Sequence, residues 1–193
     1  MTAMPAVRAI PHATQRNEAW ANGNGSTSVI LREPDDPDWL IRVSVAKVER
    51  AGPFSELPDT RRTLVPLDAA MTLRFPDGNE MHAVRFGQLR FDGSPAPAGQ
   101  LPEGPTRDFN LMLRGDAHGE VLARTLVDSM VLPLEPAVRW LVYLDSGRAQ
   151  VHAGTDTSLA LNPHDAALIA ADAETGRAWI EGAGEIVLVK LQA

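Results

Sequence analysis

A chain of 193 residues suffices for one or two compact units and is too short for a large multidomain assembly. It has no cysteine, which excludes disulfide scaffolds, thiolate zinc sites, iron–sulfur clusters and thiol nucleophiles. Its 18 Lys and Arg against 25 Asp and Glu give a formal charge of −7, so nucleic acid is not an expected partner. The charge is uneven: residues 1–100 carry 11 basic and 12 acidic side chains, residues 101–193 carry 7 and 13. All the basic residues except Lys47 and Lys190 are arginines. That bias follows either from genome base composition or from a use for bidentate carboxylate recognition. No stretch nears 18 continuous apolar residues, and residues 1–11 lack the apolar core of a signal peptide. A cytoplasmic protein without a membrane partner is expected.

The 15 prolines and 15 glycines are spread along the chain and interrupt any helical period. Short alternating or continuously apolar windows run between them, at 27–31, 40–48, 69–75, 82–86, 109–113, 121–127, 139–144, 159–161, 166–170 and 185–191. Turn signals separate these windows: Asn22-Gly23, Gly52-Pro53, Pro76-Asp77-Gly78, Asp92-Gly93, Asp145-Ser146-Gly147, Asn162-Pro163 and Glu181-Gly182. Many short strands so spaced predict an all-β sandwich or barrel. Residues 166–173 also allow one helical turn. The Pro/Gly/Ala-rich stretch 94–105 reads as a linker or long loop, dividing the chain into 1–100 and 101–193. The second half has the rhythm of strand 139–144, glycine turn, strand 149–152, then strand, Asn162-Pro163-His164-Asp165 turn, strand. This resembles the cupin jelly roll. A weaker echo in the first half implies a bicupin, two jelly-roll-type barrels in one chain.

Five segments bear on chemistry. The histidines are His12, His82, His118, His152 and His164; none forms His-x-His or a Glu-x-x-His pair, so no protein-ligated metal is expected. Residues 22–27 are glycine-rich but match neither a Walker loop nor a dinucleotide fingerprint. They form either a turn opening a strand or a backbone that approaches a ligand, with Asn22 or Thr27 supplying hydrogen bonds. In 40–46, alternation puts Arg42, Ser44 and Ala46 on one face and Ile41, Val43 and Val45 on the other. Arg42 and Ser44 face either solvent or a barrel lumen, and a buried arginine needs an anion. In 51–64, Gly52-Pro53 turns the chain, Phe54 anchors the loop, and at most one of Arg61 and Arg62 enters a pocket. In 104–112, Asp108 and Asn110 share a face opposite Phe109 and Leu111, as solvent face or as the hydrogen-bonding wall of a pocket. No Gly-x-Ser-x-Gly elbow exists, and the acidic run Glu33 to Asp38 reads as a solvated loop.

Four blocks in order resemble the HutD/Ves family of cupin-like proteins. Trp20-Ala21-Asn22-Gly23-Asn24-Gly25-Ser26-Thr27 is similar to its Trp-x-Asn-Gly-Gly-Gly-x-Thr pattern. Arg42-Val43-Ser44-Val45-Ala46 is similar to Trp-Arg-(Ile/Val)-Ser-x-Ala. Gly52-Pro53-Phe54-Ser55 with Leu57-Pro58 and Arg62 follows Gly-Pro-Phe-Ser-x-Phe-Pro-Gly-x-Asp-Arg. Gly104-Pro105, then Asp108-Phe109-Asn110 and Met112, follows Gly-Pro-x-x-Asp-Phe-Asn-x-Met. The blocks span about residues 16–115. Asn24, Ile41, Asp59 and Arg61 depart from the pattern.

The resemblance implies a bicupin without a catalytic metal or other cofactor, linked to bacterial histidine utilisation. It implies non-catalytic binding of a small carboxylate metabolite, urocanate- or formylglutamate-like, with a regulatory role. Asn22, Arg42, Ser44, Phe54, Arg62 and Asn110 are the expected ligand-binding residues, in the barrel of residues 1–100 and its border. Arginines with amides make a sensible carboxylate pocket. Two other readings stand beside it. A metal-free isomerase or lyase would use His82 or His152 with a carboxylate inside the cavity. A protein-interaction module or homodimer would use an exposed sheet face, with Arg42 and Arg62 diverging into solvent.

Overall fold

The computed structural model describes residues 6–20, 25–154, 157–171 and 176–192. Apart from a single 3-10 turn at His12–Thr14, their regular structure is all β. The strands are β1 (Ala6–Ile10), β2 (Arg16–Ala19), β3 (Gly25–Glu33), β4 (Ile41–Val48), β5 (Gly52–Pro53), β6 (Thr60–Pro66), β7 (Met71–Arg74) and β8 (Glu80–Ala83). They continue as β9 (Leu89–Asp92), β10 (Ala98–Gln100), β11 (Thr106–Arg114), β12 (His118–Leu134), β13 (Val138–Ala153), β14 (Thr157–Leu161), β15 (Ala166–Ala170) and β16 (Gly176–Gln192). The alternative helical turn at 166–173 is not formed where the chain is described: β15 is a strand hydrogen-bonded on both sides, to β1 and β13.

The chain forms two compact units, Arg16–Ala117 and a second that joins Met1–Gln15 to His118–Ala193. The division therefore falls after residue 117 instead of residue 100, and the first residues belong with the last. Strand pairing is the cause: β1 lies antiparallel to β15, from Ala6 opposite Ala170 to Ile10 opposite Ala166. The stretch 94–105 is not a linker. It contains β10, which pairs with β5 and β7 inside the central unit. Glu56 fastens it further, accepting hydrogen bonds from Ser94 Oγ at 2.6 Å and the Ala96 amide at 3.0 Å.

The central unit has a six-stranded antiparallel sheet, order β2-β3-β4-β11-β6-β9, and a four-stranded one, order β5-β10-β7-β8. Ala46, Val48 and Leu64 of the larger sheet share an apolar cluster with Met71, Leu73 and Ala83 of the smaller. The expected alternation in β4 holds, but Ile41, Val43 and Val45 are buried as well as Ser44 and Ala46. Such a strand reads as nearly continuous apolar sequence.

The second unit has one sheet, order β1-β15-β13-β16-β12, with β14 also paired to β13. Two expected turns prove to lie within continuous strands. Asp145-Ser146-Gly147 sits in β13 at a break in register between Leu144 and Ser146, and Glu181-Gly182 lies inside β16. Gly147 faces Gly184 there, so close that a Cβ on Gly147 would lie 2.1 Å from the Ala183 carbonyl oxygen. Glycine is required by that approach and by a φ of +90°. Gly78 has nearly the same φ, +88°, with open space where its Cβ would point. Gly78→Ala is expected to cost the left-handed penalty of about 1–2 kcal/mol. Gly147→Ala should cost roughly 3 kcal/mol or more, because β13 and β16 must also separate. Urea unfolding of the two variants checks the difference.

Candidate functional site

Directly opposed residues in an antiparallel ladder share a sheet face. The register of the six-stranded sheet therefore builds three rows on one face. Phe91, Arg62, Met112 and Arg42 form the first. Leu89, Leu64, Asn110, Ser44 and Val29 form the second. Pro66, Asp108, Ala46, Thr27 and Glu18 form the third. All four family-like blocks contribute residues to these rows, and the loop of residues 52–58 borders the same space. A cavity of about 420 Å³ results, lined by Arg42, Ser44, Asn110, Arg62, Phe54 and Trp20 among others.

Arg62 is the centre of the site. It is only 4 % exposed. Its guanidinium lies near two rings, 5.1 Å from the Phe54 centroid and 5.0 Å from that of Phe91, which is cation–π range. Arg62 Nη2 donates to Asn110 Oδ1 at 2.9 Å, and Asn110 Nδ2 donates to Asp108 Oδ1. The Asn110 amide is thus oriented from both ends. Arg62 Nε, Asp108 Oδ2 and Ser44 Oγ are buried without a hydrogen-bond partner among the described residues. Arg61, on the opposite face, donates to the carbonyls of Gly115 and Ala117. The expectation that at most one of the two arginines enters a pocket fits this geometry.

Arg42 holds a different station. Its Nη2 lies 3.0 Å from Glu18 Oε2, and its Nη1 lies 3.6 Å from Met112 Sδ. Glu18 is also held by Arg16 at 3.1 Å. The anion that a lumen-facing Arg42 requires is therefore supplied by the protein. Burial lowers the Arg42 pKa, against the attraction of Glu18. Burial acts more strongly within. It pulls the Arg62 guanidinium down to about 10, with Asp108 opposing. It pushes the Asp108 carboxyl, fully enclosed, up to about 7, against the attraction of Arg62 and the Asn110 hydrogen bond.

Five of the six expected ligand residues, Arg42, Ser44, Phe54, Arg62 and Asn110, line this one cavity. Asn22 lies outside the described residues. Phe54 keeps its place through its amide, bonded to the Pro97 carbonyl at 2.9 Å, and through Gly99, where a Cβ would lie 2.7 Å from the ring. Thr27 accepts from Trp20 Nε1 at 2.8 Å and so holds the indole at the cavity wall. Sequence reasoning missed Glu18, Trp20, Phe91 and Met112 as parts of the site. Glu18 and Phe91 belong to strands too short to show a period. Their partners follow only from register.

Neither candidate histidine reaches the cavity. His82 is exposed and its Nδ1 lies 3.0 Å from Thr72 Oγ1. His152, in the second unit, stacks on Trp179 at 4.7 Å with Glu181 Oε2 at 3.2 Å. His164, at the turn between β14 and β15, has a φ of +73° and is half-buried, its Nδ1 3.0 Å from Tyr143 Oη. Among the described residues no group of three or more His, Asp or Glu converges as metal ligands, and no helix is long and apolar enough to cross a membrane.

The fold is a bicupin. It is similar to a conserved protein of unknown function from Pseudomonas aeruginosa PAO1 (20 % identity, TM-score 0.85, covering 97 % of this chain and 100 % of that one). It is similar to HutD from Pseudomonas fluorescens SBW25 in a formate condition (20 %, 0.79, 97 % and 98 %). It also matches the pirin YhhW of Escherichia coli in complex with nickel(II) (9 %, 0.74, 97 % and 99 %). A search of curated proteins found no match. The HutD family model matches residues 12–188, and the chain belongs to that family, the one linked above to histidine utilisation.

The buried acid has a measurable signature. A carboxyl whose pKa is raised on folding binds more protons in the native than in the unfolded state between its two values. Its contribution to stability is present at low pH and is lost as pH rises from about 4 to about 7. In chemical unfolding across pH 4–8, the stability difference between the protein and its Asp108→Asn variant should shift in favour of the variant as pH rises.

Proposed function

We infer that the central unit binds a small carboxylate metabolite, urocanate- or formylglutamate-like, without transforming it, and that this binding serves regulation of histidine utilisation. One observation carries the reading. Arg62 is a buried cation whose Nε lacks a hydrogen-bond partner among the described residues, and whose side chain lines a cavity of metabolite size. A buried guanidinium gains most from a planar anion that it can contact with parallel N–H groups. Phe54 and Phe91 pack near the guanidinium, and Asn110 accepts from its Nη2. Such restraint reduces what a ligand must spend on ordering the site.

Arg42 and Arg62 line the same cavity, which favours a pocket over an interaction face, and neither His82 nor His152 lies where acid–base chemistry on a bound acid would need it. Ligand binding to the native state alone raises stability by mass action, about 2.7 kcal/mol at a hundred times Kd.

Thermal unfolding with formate, urocanate and formylglutamate is the test. At least one should raise the melting temperature. Arg62→Ala should remove the shift, as should Arg62→Gln, while Arg42→Ala, whose cation is already matched by Glu18, should weaken it less. An unchanged melting temperature with every acid would remove the main support for the reading.

A further inference from the structure

We propose that the cavity takes up its anionic ligand together with one proton, and that Asp108 is the group that receives it. The proposal rests on the anion-binding reading above and adds its stoichiometry.

Charge balance on the sheet face is the starting point. Arg62 from β6 is the charged group that acts on Asp108. Arg42 from β4 lies beyond Met112 and is matched by Glu18 from β2. Arg16 from β2 and Arg32 from β3 lie further out, on Glu18 and on the exposed Asp35. The residues directly opposite Asp108, Ala46 on β4 and Pro66 on β6, carry no charge. The inner cavity is therefore neutral with Arg62 and Asp108 both ionised. An anion brought to Arg62 leaves two negative charges sharing one buried cation. Close charges of one sign in a desolvated space cannot both persist, and the more buried carboxylate yields by taking a proton.

The geometry allows that proton without rearrangement. Asp108 Oδ1 accepts from Asn110 Nδ2 in either state. Asp108 Oδ2 has no partner among the described residues and can carry the hydrogen. Asn110 keeps its orientation, so its Oδ1 still holds Arg62 Nη2. Glu18 is partly open to solvent and already paired with two arginines. Burial already brings the Asp108 carboxyl close to neutrality, to about 7 in the free protein. Asp108 thus acts as a positioning residue that gates charge through Asn110 and Arg62.

Isothermal titration calorimetry of the full chain tests this, with formate as the probe and formylglutamate where formate does not bind. Both stay ionised above pH 6. Titrations at pH 8 in phosphate and in Tris read the protons taken up, since the observed enthalpy then depends on the buffer. The expected result is uptake approaching one proton per ligand. Affinity should fall by about tenfold per pH unit above pH 7.5. Asp108→Asn, which mimics the protonated acid, should bind at pH 8.5 as tightly as the unmodified protein does at pH 6, with no proton uptake. Binding without proton uptake, or uptake that persists in Asp108→Asn, overturns the proposal and leaves the binding reading intact. Failure of both acids to bind at pH 6 overturns both.

Discussion

Burying a guanidinium in the middle of a β-sheet face is the constraint around which the central unit is arranged. An isolated buried charge costs several kcal/mol, and proteins tolerate it only with partners. Arg62 has three kinds of partner: two aromatic rings, one amide oxygen and, through that amide, a carboxylate. They come from three separate pieces of chain. Phe91 is on β9, Asn110 and Asp108 are on β11, and Phe54 is on the loop that begins at β5. The strand order places β6 between β11 and β9, so Phe91 and Asn110 reach Arg62 from its two neighbouring strands, while Phe54 comes from outside that sheet. Gly99 leaves space for the Phe54 ring, and Glu56 ties its loop to the stretch 94–97.

The partners do not neutralise Arg62 as a direct ion pair would. The Asn110 amide stands between guanidinium and carboxylate, which leaves part of the guanidinium for another acceptor. The outer arginine is different. Arg42 meets Glu18 directly at 3.0 Å, in a half-buried and better screened position. The site therefore has an outer arginine that is matched and an inner one that is matched at a remove. Under the proposed binding role, this ordering favours a single small anion at the inner cavity.

Much of this was legible in the sequence, for identifiable reasons. Alternation in 40–48 put Arg42 and Ser44 on one face, and the same period in 104–112 paired Asp108 with Asn110. The family-like blocks then joined segments that no local pattern connects. What could not be read depends on register and on long-range pairing. That Arg62 stands opposite Met112, and Met112 opposite Arg42, follows from ladder alignment. That residues 6–10 complete the sheet of the C-terminal half follows from a pairing across more than 150 residues. Glycines misled where they mark strain instead of turns: Gly147 and Gly182 look like strand ends but let two long strands approach closely. The proline-rich stretch 94–105 misled likewise, since prolines are compatible with the edge and turn positions around a three-residue strand.

The central claim is that Arg62 is the anion receptor of the cavity. A crystal structure of the protein soaked with formylglutamate or formate tests it most directly. The account predicts a carboxylate within hydrogen-bonding distance of Arg62 Nε, on the sheet face between Phe54 and Ser44, with Asn110 still bonded to Asp108. A carboxylate held by Arg42 alone, or one bound only in the second unit while Arg62 stays untouched, would contradict it.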